Sequence, residues 1–347
     1  MANPAPTPAA LAPFRIAPWF RPMVWGSPDL RPWYDRHSYS ELIGEVWLTG
    51  DGCLVETGPH AGQTLAGLFA DHQDLLLGPN APAPGSPGSP ATGPGRWGGS
   101  PLLIKVIFAK QKLSVQVHPD DKMANKYGDP RGKTECWYAL AAEPDALVAC
   151  GLKPGVTLDQ VRAGIADGAL EDSLNLLPIQ AGDVVFVDAG TVHAIWPGSI
   201  LLETQQNCDL TYRMYDYGRP RELHIDKSLE ATRLHTRAGK VTAQQKADRA
   251  TLIDADYFCV ERLPVNGSRS SATLPGPAHP HRGLAYLFAA AGSARLSGPG
   301  FEPVDLPTRG ILAVPAAAPD FVIEDLGGLD LLRITPNWPA AAGGNPA

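Results

Sequence analysis

Along this 347-residue chain, apolar positions gather in short runs bounded by Gly, Pro, Asp and Asn, the pattern of strands joined by tight turns. The stretch IGEVWL at 43–48 predicts a short strand. Residues 102–117 predict a strand pair and residues 134–148 a second pair. A denser series follows from Ile179: strands over 184–187, 192–196, 200–206 and 210–217, with turns at Gly182-Asp183 and Ala189-Gly190. From Leu252 onwards weaker strands recur, over 283–289, 310–314 and 329–335. This rhythm predicts a mainly β protein built as a barrel or jelly roll, with a smaller second β domain. The domain expectation is 1–240 and 241–347.

Helical periodicity is confined to a few places. Residues 64–77 predict one helix, and Pro119 followed by Asp120 and Asp121 starts a short one. Thr157-Leu-Asp-Gln160 has the pattern of a capping box, with Val161 and Ile165 on one face and Gly168 as the stop, so a helical insertion is expected near 157–174. A linking helix is expected near 221–234. Residues 78–100 are almost entirely Gly, Pro, Ser and Ala, a composition that buries no core and predicts a mobile surface loop.

Composition sharpens the picture. The 36 glycines and 35 prolines fit many tight turns. The net charge of -7 arises from interspersed acids and bases, with no basic block of the kind that binds nucleic acid. The start of the chain, 1–11, has neither a basic segment nor a continuous apolar one, and no stretch reaches membrane-spanning length, which predicts a cytoplasmic protein without a membrane partner. Five widely spaced cysteines without a C-x-x-C pair predict reduced thiols rather than a disulfide framework.

The candidate chemistry lies in the strands. Gln116 and His118 stand two apart and so share a strand face, while Glu135 and His193 sit on other predicted strands. A barrel interior brings such residues to one point. Nitrogen and oxygen donors of this kind suit zinc, and also manganese, iron or cobalt.

The blocks LLIKVIFAKQKLSVQVHPDD (102–121), GKTECWYAL (132–140), DAGTVHAI (188–195) and LLETQQNCDLTYRMYDYGR (201–219) resemble, in this order, the type I mannose-6-phosphate isomerases, closest to their short bacterial form. The similarity extends to RELHIDKSLEA at 221–231, VWG at 24–26 and GEVW at 44–47, and covers the first two thirds of the chain. It implies a cupin with a metal-bearing jelly roll followed by a degenerate cupin-like domain. It implies one Zn2+ per chain, held by Gln116, His118, Glu135 and His193. The implied substrate is a sugar phosphate, interconverted between mannose 6-phosphate and fructose 6-phosphate through a cis-enediol by a monomer or homodimer. The match makes Arg213 and Lys133 catalytic and Lys105 and Ser114 phosphate-associated, with Trp25 and Glu45 at the substrate pocket. The base that moves the proton is left open among Glu45, Lys133 and metal-bound water. GEVWLTG departs from the more usual GE-x-W-x-I-S, which leaves the substrate rim open to change.

Other residues have plainer readings. Lys112 reads as a solvated edge-strand residue, Trp47 as core, and Asp120 and Asp121 as favourable charges at a helix start. Cys136 is turned by strand alternation away from Glu135. His279 and His281, in PAHPHRG, read as a surface loop or the relic of a lost site. Two other functions compete with the isomerase: a cupin isomerase of an unphosphorylated sugar, and a non-catalytic sugar-binding cupin. Retention of Lys105, Ser114 and Arg213 argues against the first, and retention of Lys133 and all four ligands against the second.

Overall fold

The computed structural model describes residues 11–38, 40–79, 81, 99–271 and 283–338. Within them the protein is mainly β and falls into two compact units. One comprises Trp19–Trp47 with Leu102–Thr242; the other joins the described parts of Met1–Pro18, Leu48–Pro101 and Ala243–Ala347. The sequence expectation places one boundary near 240. The chain contacts instead group the described parts of 1–18 and 48–101 with the C-terminal strands. One link is strand Phe14–Arg15, which pairs with Ile311–Val314.

The first unit has two antiparallel sheets. Seven strands run in the order Gly239–Val241, Val184–Val187, Glu135–Ala142, Ser199–Gln206, Leu102–Ala109, Ile43–Trp47 and Trp19–Ser27. Five others run Tyr212–Tyr215, Val115–Val117, His193–Ile195, Leu147–Leu152 and Leu174–Pro178. A single buried cluster draws on both sheets, with Ile107, Trp137, Val185 and Leu201 from the first and Val148, Cys150 and Ile195 from the second. Two sheets closed on one apolar core form the jelly roll that the strand rhythm predicts.

Alternation decides which side chains enter the interior. Val115 and Val117 pack with Ala194, Tyr212 and Met214 against Val161, Ile165 and Leu229 of two helices, Leu158–Asp167 and Ile225–Ala231. Gln116, between the two valines, therefore faces the opposite way. The capping box forms as predicted: Gln160 N donates to Thr157 Oγ1, Thr157 N donates to Gln160 Oε1, and Gly168 ends the helix at φ 73°. The helix after Pro119 spans Asp121–Lys126, with Asp120 Oδ1 accepting from Met123 N at 2.8 Å. In this unit strands Trp19–Ser27, Leu174–Pro178 and Gly239–Val241 were not foreseen. Trp19–Ser27 contains Pro22 and is tolerated as the sheet edge, while Leu174–Pro178 lies directly after the helical insertion.

The second unit repeats the two-sheet plan, with seven strands running from Phe14–Arg15 to Gln244–Gln245 and four running from Ser268–Ser270 to Phe301–Leu306. Leu263, Leu287, Leu296, Leu312, Ile323 and Leu331 form its core. Helix Leu65–Leu77, capped by Thr64, belongs to this unit. His279, His281 and most of the 78–100 loop lie outside the described residues.

Candidate metal centre and active site

Gln116 sits opposite His193 across the ladder joining Val115–Val117 to His193–Ile195. His118 lies just beyond its strand, and Glu135 opens a strand of the other sheet. Candidate ligand atoms of His118, Glu135 and His193 all fall within 4.8 Å of one another. Nε2 of His118 is 3.5 Å from Glu135 Oε2, and Nε2 of His193 is 3.5 Å from Oε1. Gln116 lies beside the group, its amide nitrogen 3.2 Å from His193 Nε2 and its oxygen accepting from Ser114 Oγ at 3.2 Å.

This donor set fits a divalent cation. Nδ1 of His118 lies 2.9 Å from the Leu210 carbonyl, and Nδ1 of His193 lies 2.9 Å from the Thr191 carbonyl. A carbonyl only accepts, so each ring is protonated at Nδ1 and turns a bare Nε2 to the centre. Burial pushes the His118 imidazolium well below its usual value and that of His193 to about 4, which keeps both rings neutral. Nε2 of His118 and Oε1 of Glu135 have no hydrogen-bond partner although both residues are 1% exposed. Orphaned acceptors in so dry a place call for a cation. Burial and the Glu203 charge raise the pKa of Glu135, a shift that a bound cation reverses.

From Glu135 a row of alternating charges crosses the interior of the seven-stranded sheet. Lys133 Nζ lies 3.1 Å from Glu135 Oε2 and 3.7 Å from Glu203 Oε1. Lys105 Nζ lies 3.1 Å from Glu203 and 3.1 Å from Glu45. Ladder register builds the row: Lys105 stands opposite Glu203 on one side and Trp47 on the other, and Glu203 stands opposite Trp137. Trp137 Nε1 donates to Glu203 at 2.8 Å and Trp47 Nε1 to Glu45 at 2.7 Å. Burial alone would lower the pKa of both lysines, but the carboxylates outweigh it and raise them. Glu203 is likewise subject to burial, which raises it, yet Lys105 and Lys133 carry it below the usual carboxylate value. Two buried carboxylates are thus driven apart, Glu135 upward and Glu203 downward.

The structure brings Gln116, His118, Glu135, His193, Lys133, Lys105 and Glu45 onto one connected surface. Arg213 joins from the five-stranded sheet, opposite Gln116 in register, with Nη1 donating to the Glu222 carbonyl at 2.9 Å. Burial and nearby Arg221 lower its pKa. The ammonium of Lys105 is engaged by two carboxylates rather than standing free for an anion. Trp25 is 3% exposed and packs in the core beside Ile107 and Trp137. Sequence reasoning missed Glu203 and Gln205. Gln205 stands opposite Glu135, is fully buried, and leaves its amide oxygen unpartnered. The signal available was the run ETQQ, four polar residues within a strand otherwise read as apolar.

Fold and site together define a two-unit cupin protein with a candidate metal centre in one unit. No family model matches the chain. It is similar to the mannose-6-phosphate isomerase ManA of Bacillus subtilis, 33% identical over 275 residues that cover 74% of this chain and 81% of the relative. It is also 33% identical, over 258 residues, to the mannose-6-phosphate isomerase of Streptococcus mutans, with 71% of this chain and 76% of that protein covered. Among solved structures, that of the Bacillus subtilis mannose 6-phosphate isomerase superposes with a TM-score of 0.78 at 28% identity, covering 94% of this chain and all of that one. A mannose 6-phosphate isomerase bound with zinc and yttrium shares the fold at a TM-score of 0.69 and 17% identity, over 94% of this chain and all of that one. The chain belongs to the mannose-6-phosphate isomerase family.

Proposed function

We propose that this protein is a zinc-dependent isomerase that interconverts mannose 6-phosphate and fructose 6-phosphate through a cis-enediol. The observation that carries the reading is the pair of neutral histidines whose bare Nε2 atoms face a buried carboxylate beside an ionised Lys–Glu row. A relative solved with zinc supports the choice of metal.

Gln116, His118, Glu135 and His193 would hold the ion. When bound, a divalent cation polarises the sugar's C1 and C2 oxygens and stabilises negative charge as it develops there. The remaining steps belong to the protein. Lys133, kept cationic by Glu135 and Glu203, donates a proton to the ring oxygen as the C1–O5 bond breaks, and its amine recovers a proton from the O1 hydroxyl as the C1 carbonyl forms. Isomerisation then requires a base to take the proton from C2 and return it to C1, while a proton moves from the O2 hydroxyl to O1. Of the carboxylates, we assign the carbon-bound proton to Glu203. It lies 3.7 Å from Lys133 and is held ionised, whereas Glu45 stands one lysine farther from the ligand set. Arg213, beside Gln116, orients the reacting end of the sugar.

The test is turnover in D2O. Deuterium appearing at C2 of recovered mannose 6-phosphate, with free mannose turned over far more slowly, supports the enediol and the phosphate ester. Deuterium found in neither sugar phosphate after many turnovers would favour a direct hydride shift over the enediol. Equal turnover of free mannose would favour an isomerase of an unphosphorylated sugar.

A further inference from the structure

The charged row does not end at Glu45. In the last strand pair of the sheet, Arg21 stands opposite Glu45 and therefore shares its face. Both oxygens of Glu45 are already taken, one by Trp47 Nε1 and the other by Lys105 Nζ, so the arginine has no claim on its neighbour. Its guanidinium lies instead over two indoles, with Cζ 4.3 Å from the Trp19 ring centroid and 4.8 Å from that of Trp47. The two rings meet edge to face at 5.6 Å. Nε of Arg21 is buried and has no acceptor. Of the other arginines with a similarly buried Nε, Arg36 pairs with Glu41, Arg213 with the Glu222 carbonyl and Arg249 with Glu261, and Arg131 and Arg309 are not without partners. Among the described residues Arg21 has only the indoles.

A guanidinium stacked over aromatic rings is held in place while its N–H edge stays available to an oxyanion, and that edge grips a phosphate bidentately. With Nε enclosed by the stack, an anion would meet the outer Nη edge of the guanidinium. Arg21 also lies four strands from Glu135 in the sheet order, at the opposite end of the charged row. Only the remote end of an elongated substrate would meet it while the reacting carbons face the metal ligands. Lys105, the base that the family resemblance associates with phosphate, is held between two carboxylates.

We propose that Arg21, seated on Trp19 and Trp47, is a specificity-determining residue that binds the phosphate of the sugar phosphate; this rests on the isomerase reading above. The site then has cationic groups at both ends. Arg213 and the ion-binding residues take the sugar's reacting end, and Arg21 takes its charged tail.

The experiment compares wild type with Arg21→Ala, Arg21→Lys and Trp19→Ala, the last at a ring already 39% exposed and so tolerant of change. Steady-state kinetics with mannose 6-phosphate is paired with calorimetric binding of mannitol 6-phosphate, a non-isomerisable probe, and of unphosphorylated mannitol. The expected result is a KM about 10- to 100-fold higher in Arg21→Ala with kcat within a few-fold of wild type. Affinity for mannitol 6-phosphate falls in parallel and mannitol binding does not change. Arg21→Lys recovers part of the loss, and Trp19→Ala shows a smaller loss of the same kind. An unchanged KM and unchanged mannitol 6-phosphate affinity in any folded Arg21 variant overturns the inference and leaves Arg21 a packing residue. Wild type that fails to turn over mannose 6-phosphate at all would defeat the isomerase reading instead.

Discussion

Lys133 shows how one side chain acquires a role from its surroundings. A fully buried lysine would ordinarily lose its proton, yet Glu135 and Glu203 hold this one cationic. Lys133→Met should lower kcat by about 10²- to 10⁴-fold, the range for removing a general acid. Metal content, measured by elemental analysis, should stay at the wild-type level because the four ligand side chains are untouched. The thiols give a second prediction at this scale. All five cysteines are free, and burial raises the pKa of Cys150 and of Cys259 to about 12 and also raises that of Cys208. A raised pKa leaves little thiolate at pH 8, so a disulfide reagent should react slowly with the native protein and with five thiols once it is unfolded. The residues of the candidate metal centre stood out in the sequence because their types are chemically pointed and two of them, Gln116 and His118, are spaced to share a strand face. Glu203 was not, since only ladder register shows that the glutamate in LLETQQ meets Lys105 and Trp137.

Elements were most legible where local chemistry alone decides them. The Thr157–Gln160 box and Gly168 define both ends of helix Leu158–Asp167, and its buried face, Val161 and Ile165, closes over the outer surface of the ligand-bearing sheet. Thr157→Ala should cost about 1 kcal/mol by loss of the cap. Gly168→Ala should cost a comparable amount of about 1 kcal/mol, because alanine is strained at a positive φ. Urea unfolding measures both. Strands that depend on their neighbours were harder to read. Pro22 argues against a strand in isolation, and its segment is one only because it lies at a sheet edge.

Across the whole molecule the sequence made the two-barrel plan visible but not its bookkeeping of segments. Alternation and turns recur in both parts of the chain, whereas the grouping of the described residues of 48–101 with the C-terminal strands depends on long-range contacts that no local pattern encodes. In the second unit Leu331 is completely buried, and Leu331→Ala should destabilise that unit by about 2–5 kcal/mol, read from its urea transition. In the first unit the same architecture does something different. Its interior carries a charged row that ends at the candidate metal centre, and the proposed function rests on a cation held there. The most direct test is to strip the purified protein with a chelator, restore zinc, and follow mannose 6-phosphate turnover and zinc content together in wild type and His118→Ala. The expected result is loss of turnover with the metal, recovery at one zinc per chain, and neither binding nor recovery in the variant. Turnover that persists in metal-free protein, or zinc bound equally well by His118→Ala, would contradict it.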